Sequence, residues 1–133
     1  MSNSSSWIRA ETRWAIYIRD RFTCAWCGEH LGAGQLTLDH LFPRTSRYFG
    51  NGPKRVVTAC HACNSRRRHA AVRDVLRYLP ARERRYVTAR LRRSLATPID
   101  RAAGRALLLL LAKRDASLPP LPDGPGVVNG IIY

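Results

Sequence analysis

The chain has 133 residues and a formal net charge of +14, with 23 lysines and arginines against 9 acidic residues. This length fits one domain with a modest core and excludes two independent domains. Almost all of the basic residues are arginines, which pair bidentately with phosphate, so we expect a polyanionic partner and favour nucleic acid over a membrane. A chain from an arginine-rich proteome would show the same excess without such a partner.

The sequence contains no targeting or membrane-spanning pattern. Its first residues lack the basic start and apolar run of a signal peptide, and the leucine run from Leu107 to Leu111 is far too short to cross a bilayer. We therefore expect a cytoplasmic protein without a membrane partner. In that reducing compartment, paired cysteines favour a metal over disulfides.

The first half of the chain is predicted to contain one helix and two short strands. Residues 1–6 are polar and are predicted to be disordered, and a helix is predicted for residues 7–19. Strands are predicted for residues 35–38 and 55–58, with Pro43 ending the first of them. The spacing of apolar residues predicts a buried helix face that consists of Trp7, Ala10, Trp14, Ile18 and, as a further candidate, Tyr17.

Three helices are predicted in the second half, over residues 64–79, 81–95 and from Pro98 to near Arg114. Pro80 separates the first two, and Thr97 is the predicted cap of the third. Residues 117–133 are rich in proline and glycine and are predicted to form a loose tail. Inward-facing stripes are predicted on the first two helices, formed by Val72, Val75, Leu76 and Leu79 and by Val87, Leu91 and Leu95.

Four cysteines form two C-x-x-C pairs, Cys24 with Cys27 and Cys60 with Cys63. Two such pairs have the number and spacing of the ligands of a tetrahedral zinc site. Four thiolates leave no open position for a substrate, so the ion is expected to be structural. The alternative is a set of four buried thiols without a metal.

Asp39, His40 and Asn64 lie near the cysteines in the sequence and are candidates for a second metal site and for proton transfer. Carboxylate and amide oxygens suit Mg²⁺ or Mn²⁺, and an imidazole can take a proton from water near neutral pH. Neighbouring residues of a strand point to opposite faces. Asp39 and His40 therefore converge on one phosphate only if the strand bends there, and Pro43 is consistent with such a bend.

Around these motifs the sequence resembles the HNH endonuclease family. The similar stretches are residues 19–28 (RDRFTCAWCG), 39–44 (DHLFPR) and 60–66 (CHACNSR). The resemblance implies an α+β fold, the ββα-metal finger with structural zinc, flanked by an N-terminal helix and C-terminal basic helices. We accordingly divide the chain into a nuclease core at residues 7–79, a helical extension packed on it at 80–116 and the tail.

The resemblance also implies a metal-dependent DNA endonuclease with little sequence specificity, acting in a bacterial or phage-infected cell. His40 would activate a water for in-line attack on phosphorus, and an ion held by Asp39 and Asn64 would stabilise the developing charge. Mg²⁺ or Mn²⁺ is the expected ion, with Ni²⁺ as a further candidate, and the protein is expected to be a monomer. The alternative from another class is a zinc-stabilised nucleic-acid-binding module without catalysis.

The sequence departs from the family pattern at one position. The family usually carries an asparagine at the start of the second strand, where it braces the hairpin, and Arg55 stands at that spacing here. Either Asn51, in the preceding loop, substitutes for it or the brace is lost. His61 is expected to be exposed near phosphate, His69 is a weaker candidate for a metal role, and His30 is expected in a loop.

Phosphate contacts are predicted from basic residues of the loop before the second strand and of the helix after the second cysteine pair. These residues are Arg44, Arg47, Lys54, Arg55, Arg66, Arg67, Arg68 and Arg73.

Overall fold

The computed structural model describes residues 9–68, 70–112, 127–128 and 131–132 of an α+β protein. The predicted disordered N-terminus, His69 and most of the predicted tail lie outside these residues. Among the described helices, none is long and apolar enough to cross a bilayer. The elements are α1 (Ala10–Arg19), a 3₁₀ turn (Ala33–Gln35), β1 (Leu36–His40), β2 (Val56–Cys60), α2 (His61–Arg67), α3 (Val72–Arg77), α4 (Ala81–Ala96), α5 (Arg101–Ala112), β3 (Val127–Val128) and β4 (Ile131–Ile132).

Strands β1 and β2 form an antiparallel pair in which Leu36 lies opposite Cys60 and His40 lies opposite Val56. Both strands are longer than the sequence predicts. As a result, β1 runs through Asp39 and His40, and β2 delivers Cys60 directly to the start of α2. A second, separate antiparallel pair consists of β3 and β4.

The β1–β2 sheet is covered by helices on both faces. Leu38 and Val56 pack on one face with residues of α1 and α5, including Ile16 and Leu107. On the other face, Val57 packs with Leu41 and with Val87 and Leu91 of α4. The neighbours Val56 and Val57 thus enter two different apolar clusters, as the alternation of side chains along a strand requires.

Helix α1 differs from its prediction in its start and in its buried face. It begins at Ala10, after Arg9 in extended conformation, and residues 7 and 8 of the predicted helix lie outside the described part of the chain. Ala10 is exposed, while Trp14 and Ile18 are only half-buried. The predicted Tyr17 is buried, and its neighbours on the buried face are Thr12, Ala15, Ile16 and Arg19.

The close contact of α1 with α5 explains why the buried face of α1 differs from the predicted one. A Cβ atom on Gly104 of α5 would lie 2.3 Å from the carbonyl oxygen of Glu11 and 2.8 Å from the backbone nitrogen of Ala15. The two helix backbones therefore approach each other at this glycine. The approach needs a small residue on each helix, and Ala15 of α1 lies at the contact.

The single helix predicted over residues 64–79 is wrong, because the chain forms two helices there. Helix α2 begins at His61 and ends at Arg67, Arg68 adopts a left-handed conformation with φ of 50°, and α3 starts at Val72. The guanidinium of Arg67 donates to the carbonyl oxygen of Ala70 at 2.5 Å, across the break. This contact bridges a break in the helix that helical periodicity cannot reveal.

The remaining helices follow the sequence more closely. Helix α4 matches its predicted range to within one residue, and Val87 and Leu91 are buried as predicted. Helix α5 starts at Arg101 and not at Pro98, because the carboxylate of Asp100 accepts a bond of 3.1 Å from the backbone nitrogen of Ala103 and so acts as the cap.

Candidate functional site

The four cysteines come together as predicted. Their sulfur atoms all lie within 4.8 Å of one another, and the Cys27 and Cys60 sulfurs are 4.0 Å apart. Tetrahedral coordination with zinc–sulfur bonds of about 2.3 Å would place the sulfurs roughly 3.8 Å apart. All four cysteines are free thiols. The cluster can therefore hold a structural metal such as zinc.

Local structure prepares both cysteine pairs for a common ion. The backbone nitrogen of Cys27 faces the Cys24 sulfur at 3.5 Å, and that of Cys63 faces the Cys60 sulfur at 3.4 Å. Gly28 ends the first pair with φ of 78°, a conformation that favours glycine. Arg90 of α4 donates to the carbonyl oxygens of Ala25 and Trp26, so α4 clamps the loop between the first two cysteines.

The thiols differ in their tendency to ionise. Burial raises the pKa of Cys27 to about 11, and burial together with the bond to Cys60 raises the pKa of Cys63. For Cys60, burial acts in the same direction, but bonds from the backbone nitrogen and the thiol of Cys63 lower the pKa overall. Because a metal binds the thiolate form, metal uptake must displace protons from Cys27 and Cys63.

His40 lies at the end of β1 and is held on two sides. Its ring stacks on Phe49 with centroids 4.8 Å apart and planes inclined by 24°. Its Nε2 atom is 2.8 Å from the side-chain oxygen of Asn51. Since an amide oxygen can only accept, Nε2 is the donor in this bond.

Asn64 lies in the first turns of α2, facing β1. Its amide nitrogen donates to the hydroxyl of Thr37 and to the carbonyl oxygen of Leu38, both at 3.1 Å. These two bonds fix the amide plane and leave its oxygen as the atom that can bind a ligand. Asn64 was predicted to open the helix, but α2 begins three residues earlier, at His61.

Asp39 does not converge with His40. Its side chain is only 3% exposed and points to the opposite side of β1, where both carboxylate oxygens are bonded. Arg67 donates through Nε and Nη2 at 2.8 and 2.6 Å, and the indole nitrogen of Trp26 donates at 2.8 Å. The predicted bend is absent, because β1 keeps regular pairing through His40.

The oxygen residues therefore fit a divalent ion only in part. Asn64 has an amide oxygen that is not used in its two bonds to β1. Asp39, the predicted second ligand, is already engaged by two donors and is shielded from solvent. The four cysteines can thus bind a metal in the observed arrangement, whereas Asn64 and Asp39 cannot both do so.

A cleft surrounds His40, and we call it the His40 cleft. It consists of two cavities, of about 160 and 460 Å³, which share His40, Arg44 and Asn64 in their walls. The other charged or titratable residues that line it are basic, apart from the ion-paired Asp39: Arg13, His61, Arg67 and Arg68. An imidazole at the mouth of such a cleft faces a strongly positive surface that favours phosphate.

The predicted phosphate contacts occupy very different positions. Arg44 and Arg68 are exposed and line the His40 cleft. Arg47, Lys54, Arg66 and Arg73 are exposed but do not line either cavity of the cleft. Arg67, in contrast, is buried in its pair with Asp39, so its guanidinium does not face the solvent as a phosphate contact would.

Arg55 and Asn51 both make contacts in the loop that precedes β2. Arg55 donates through Nη1 to the carbonyl oxygen of Tyr48 and so ties the loop between the strands. Asn51 contacts the His40 ring directly. Each of these two contacts therefore ties the loop between β1 and β2 to its surroundings.

Three residues of the site were missed by sequence reasoning. Arg13 of α1 lines the cleft, Trp26 bonds Asp39 and Phe49 stacks on His40. Only Phe49 carried a sequence signal, as an aromatic residue in a glycine-rich loop next to the predicted base. Arg13 and Trp26 reach the site through tertiary packing that a local pattern does not encode.

Comparison of the chain with protein-family models, with curated proteins and with solved structures finds no match. Inference about function therefore rests on the residues of the site and on the motifs they form.

Proposed function

We propose that this protein is an HNH-type endonuclease that hydrolyses phosphodiester bonds of DNA with little sequence specificity. The observation that carries the proposal is the position of His40, held by Asn51 and Phe49 at the mouth of a basic cleft that also contains Asn64. The order of β1, β2 and α2, with cysteine ligands at its base, supports the assignment of a ββα-metal finger with structural zinc.

In this proposal His40 is the general base. Its imidazole takes a proton from a water that attacks phosphorus, and the 3′ oxygen leaves on the opposite side. The exposed guanidiniums of Arg44 and Arg68 stabilise the charge that develops on the phosphoryl oxygens. A Mg²⁺ or Mn²⁺ ion would add further charge stabilisation at Asn64. Because Asp39 does not fit as its ligand in the observed arrangement, we assign no step to that ion.

The proposal is tested by incubating supercoiled plasmid with purified protein and Mg²⁺, Mn²⁺ or Ni²⁺. We expect nicked or linear DNA from the wild type and a loss of about 10²- to 10⁴-fold in rate for His40→Ala, the typical range for a general base. Metal content, folding and DNA affinity should stay nearly unchanged in this variant, because the ring lies at the cleft and outside the core clusters. An uncut plasmid with all three ions, or equal cutting by His40→Ala, would contradict the proposal.

The second candidate is a nucleic-acid-binding module without catalysis. It is favoured by the hydrogen bonds that Arg67 and Trp26 donate to Asp39, because these bonds already engage its carboxylate oxygens. Both candidates predict DNA affinity that falls steeply with salt, since arginines replace condensed counterions. Only the nuclease predicts cleavage that depends on His40, so the plasmid assay separates the two.

A further inference from the structure

Asp39 and Arg67 form a buried ion pair next to the His40 cleft. The two side chains are 3% and 5% exposed, and the shortest contact, from Nη2 of Arg67 to Oδ1 of Asp39, is 2.6 Å. With the Nε bond of Arg67 and the indole bond of Trp26, three of the roughly four lone-pair positions of the carboxylate are filled.

Arg67 is held in place from its other sides as well. It donates to the carbonyl oxygen of His40 and to that of Ala70, and it lies over the Trp26 ring at 5.2 Å. These contacts fix a planar guanidinium in the orientation that bidentate pairing requires. The fold therefore holds a positive charge in a fixed position beside Asp39.

This arrangement opposes cation binding at Asp39. An ion coordinated to Oδ1 at about 2.1 Å would lie at most about 4.7 Å from Nη2 of Arg67, given the 2.6 Å bond between that nitrogen and Oδ1. Two positive charges at that distance repel strongly in a site shielded from water. Binding the ion therefore requires the ion pair to weaken or to open.

We propose that Arg67 competes with divalent cations for Asp39 and so lowers the affinity of the His40 cleft for them. Cation binding at Asp39 and the Asp39–Arg67 pair are alternative states of one carboxylate. The inference rests on the proposed function for the role of the cleft, but its test measures ion binding alone and needs neither substrate nor cleavage.

The chain offers a matched control in the next residue. Arg68 carries the same charge and also lines the cleft. It is exposed, however, and it is Arg67 that supplies the guanidinium bonds to Asp39. Replacing either arginine by methionine removes one positive charge near the site, and only Arg67→Met also frees the carboxylate.

Mn²⁺ binding to protein whose cysteines are already loaded with zinc provides the test, with free Mn²⁺ followed by electron paramagnetic resonance. We expect Arg67→Met to bind Mn²⁺ at least about tenfold more tightly than Arg68→Met, since an ion pair as well as a charge is removed. Adding Asp39→Asn to Arg67→Met should abolish the gain. Equal affinities of the two arginine variants, or a gain that survives Asp39→Asn, would overturn the inference.

A measurement on the wild type covers the case in which Arg67→Met does not fold. The Nε–H groups of Arg67 and of Arg90 are both bonded to oxygen acceptors in the interior, Asp39 and the Ala25 carbonyl respectively. Nitrogen NMR should show the Arg67 resonance shifting or broadening as Mg²⁺ is added, while that of Arg90 stays constant. An Arg67 resonance that is unchanged when Mg²⁺ saturates the protein would refute the competition.

Discussion

Two neighbours on β1 show how strand geometry divides roles between single residues. The His40 ring is partly exposed at the cleft, whereas the Asp39 carboxylate, in the wall of the smaller cavity, is buried in its pair with Arg67. The alternation of side chains along a strand predicts this separation, and the bend suggested by Pro43 is not made. Residue type therefore identified both side chains as chemically important, but the partner of Asp39 is set by α2 and by the first cysteine loop.

At the same scale, we predict that Asn51 orients the base. Asn51→Ala removes the acceptor for Nε2 of His40, and the loss of one hydrogen bond of about 0.5–1.5 kcal/mol should reduce the cleavage rate roughly 3- to 10-fold. Because Asn51 is exposed, the unfolding midpoint should not change.

Steady-state cleavage of a labelled duplex gives the rate, with Asn51→Asp as the control, since it keeps an oxygen acceptor at the same position. Equal loss in both variants would show that the bond between Asn51 and His40 does not orient the ring.

The helices differ in how far the sequence determines them. Helix α4 was predicted nearly residue by residue, because Pro80 marks its start and Val87 and Leu91 define one apolar stripe. The division between α2 and α3 could not be predicted, since Arg68 adopts a positive φ next to Arg67, which is held by tertiary bonds to Asp39. Periodicity describes a helix alone, whereas its ends and its exact buried face depend on what it packs against.

The contact between α1 and α5 leads to a prediction at this scale. Gly104→Ala would place a methyl group 2.3 Å from the carbonyl oxygen of Glu11, so the helices must separate. We expect overpacking of about 1–3 kcal/mol, which exceeds the gain of up to about 1 kcal/mol in helix propensity.

Chemical denaturation measures the change in the free energy of unfolding. Gly52→Ala is the matched control, because a Cβ atom there meets nothing within 4 Å, and it should stay within about 0.5 kcal/mol of the wild type. A Gly104→Ala protein that is as stable as this control would show that α1 and α5 do not approach closely.

For the whole molecule, the cysteine cluster links parts of the chain that are distant in sequence. Cys24 and Cys27 follow α1, while Cys60 and Cys63 join β2 to α2, so one ion would fix the helix, the sheet and the cleft relative to one another. The spacing of the cysteines alone predicted this cluster, because four ligands in two short pairs specify a site with little help from the rest of the fold. The His40 cleft needed the tertiary structure, since its walls come from α1, the loop before β2 and α2.

Metal content and its pH dependence test this view of the whole molecule. Purified protein should contain about one zinc per chain, and Cys60→Ser should lower the stability of the whole fold around the cluster. Since the pKa of Cys27 is raised to about 11 and that of Cys63 is also raised, both thiols are protonated in the metal-free protein near neutral pH. Each proton that the metal displaces makes the apparent affinity rise about tenfold per pH unit, so these two protons alone predict an increase of at least about 100-fold from pH 6.5 to 7.5. Competition with a chromophoric chelator, corrected for its own protonation, measures this increase, and a pH-independent affinity or a folded protein without metal would contradict the prediction.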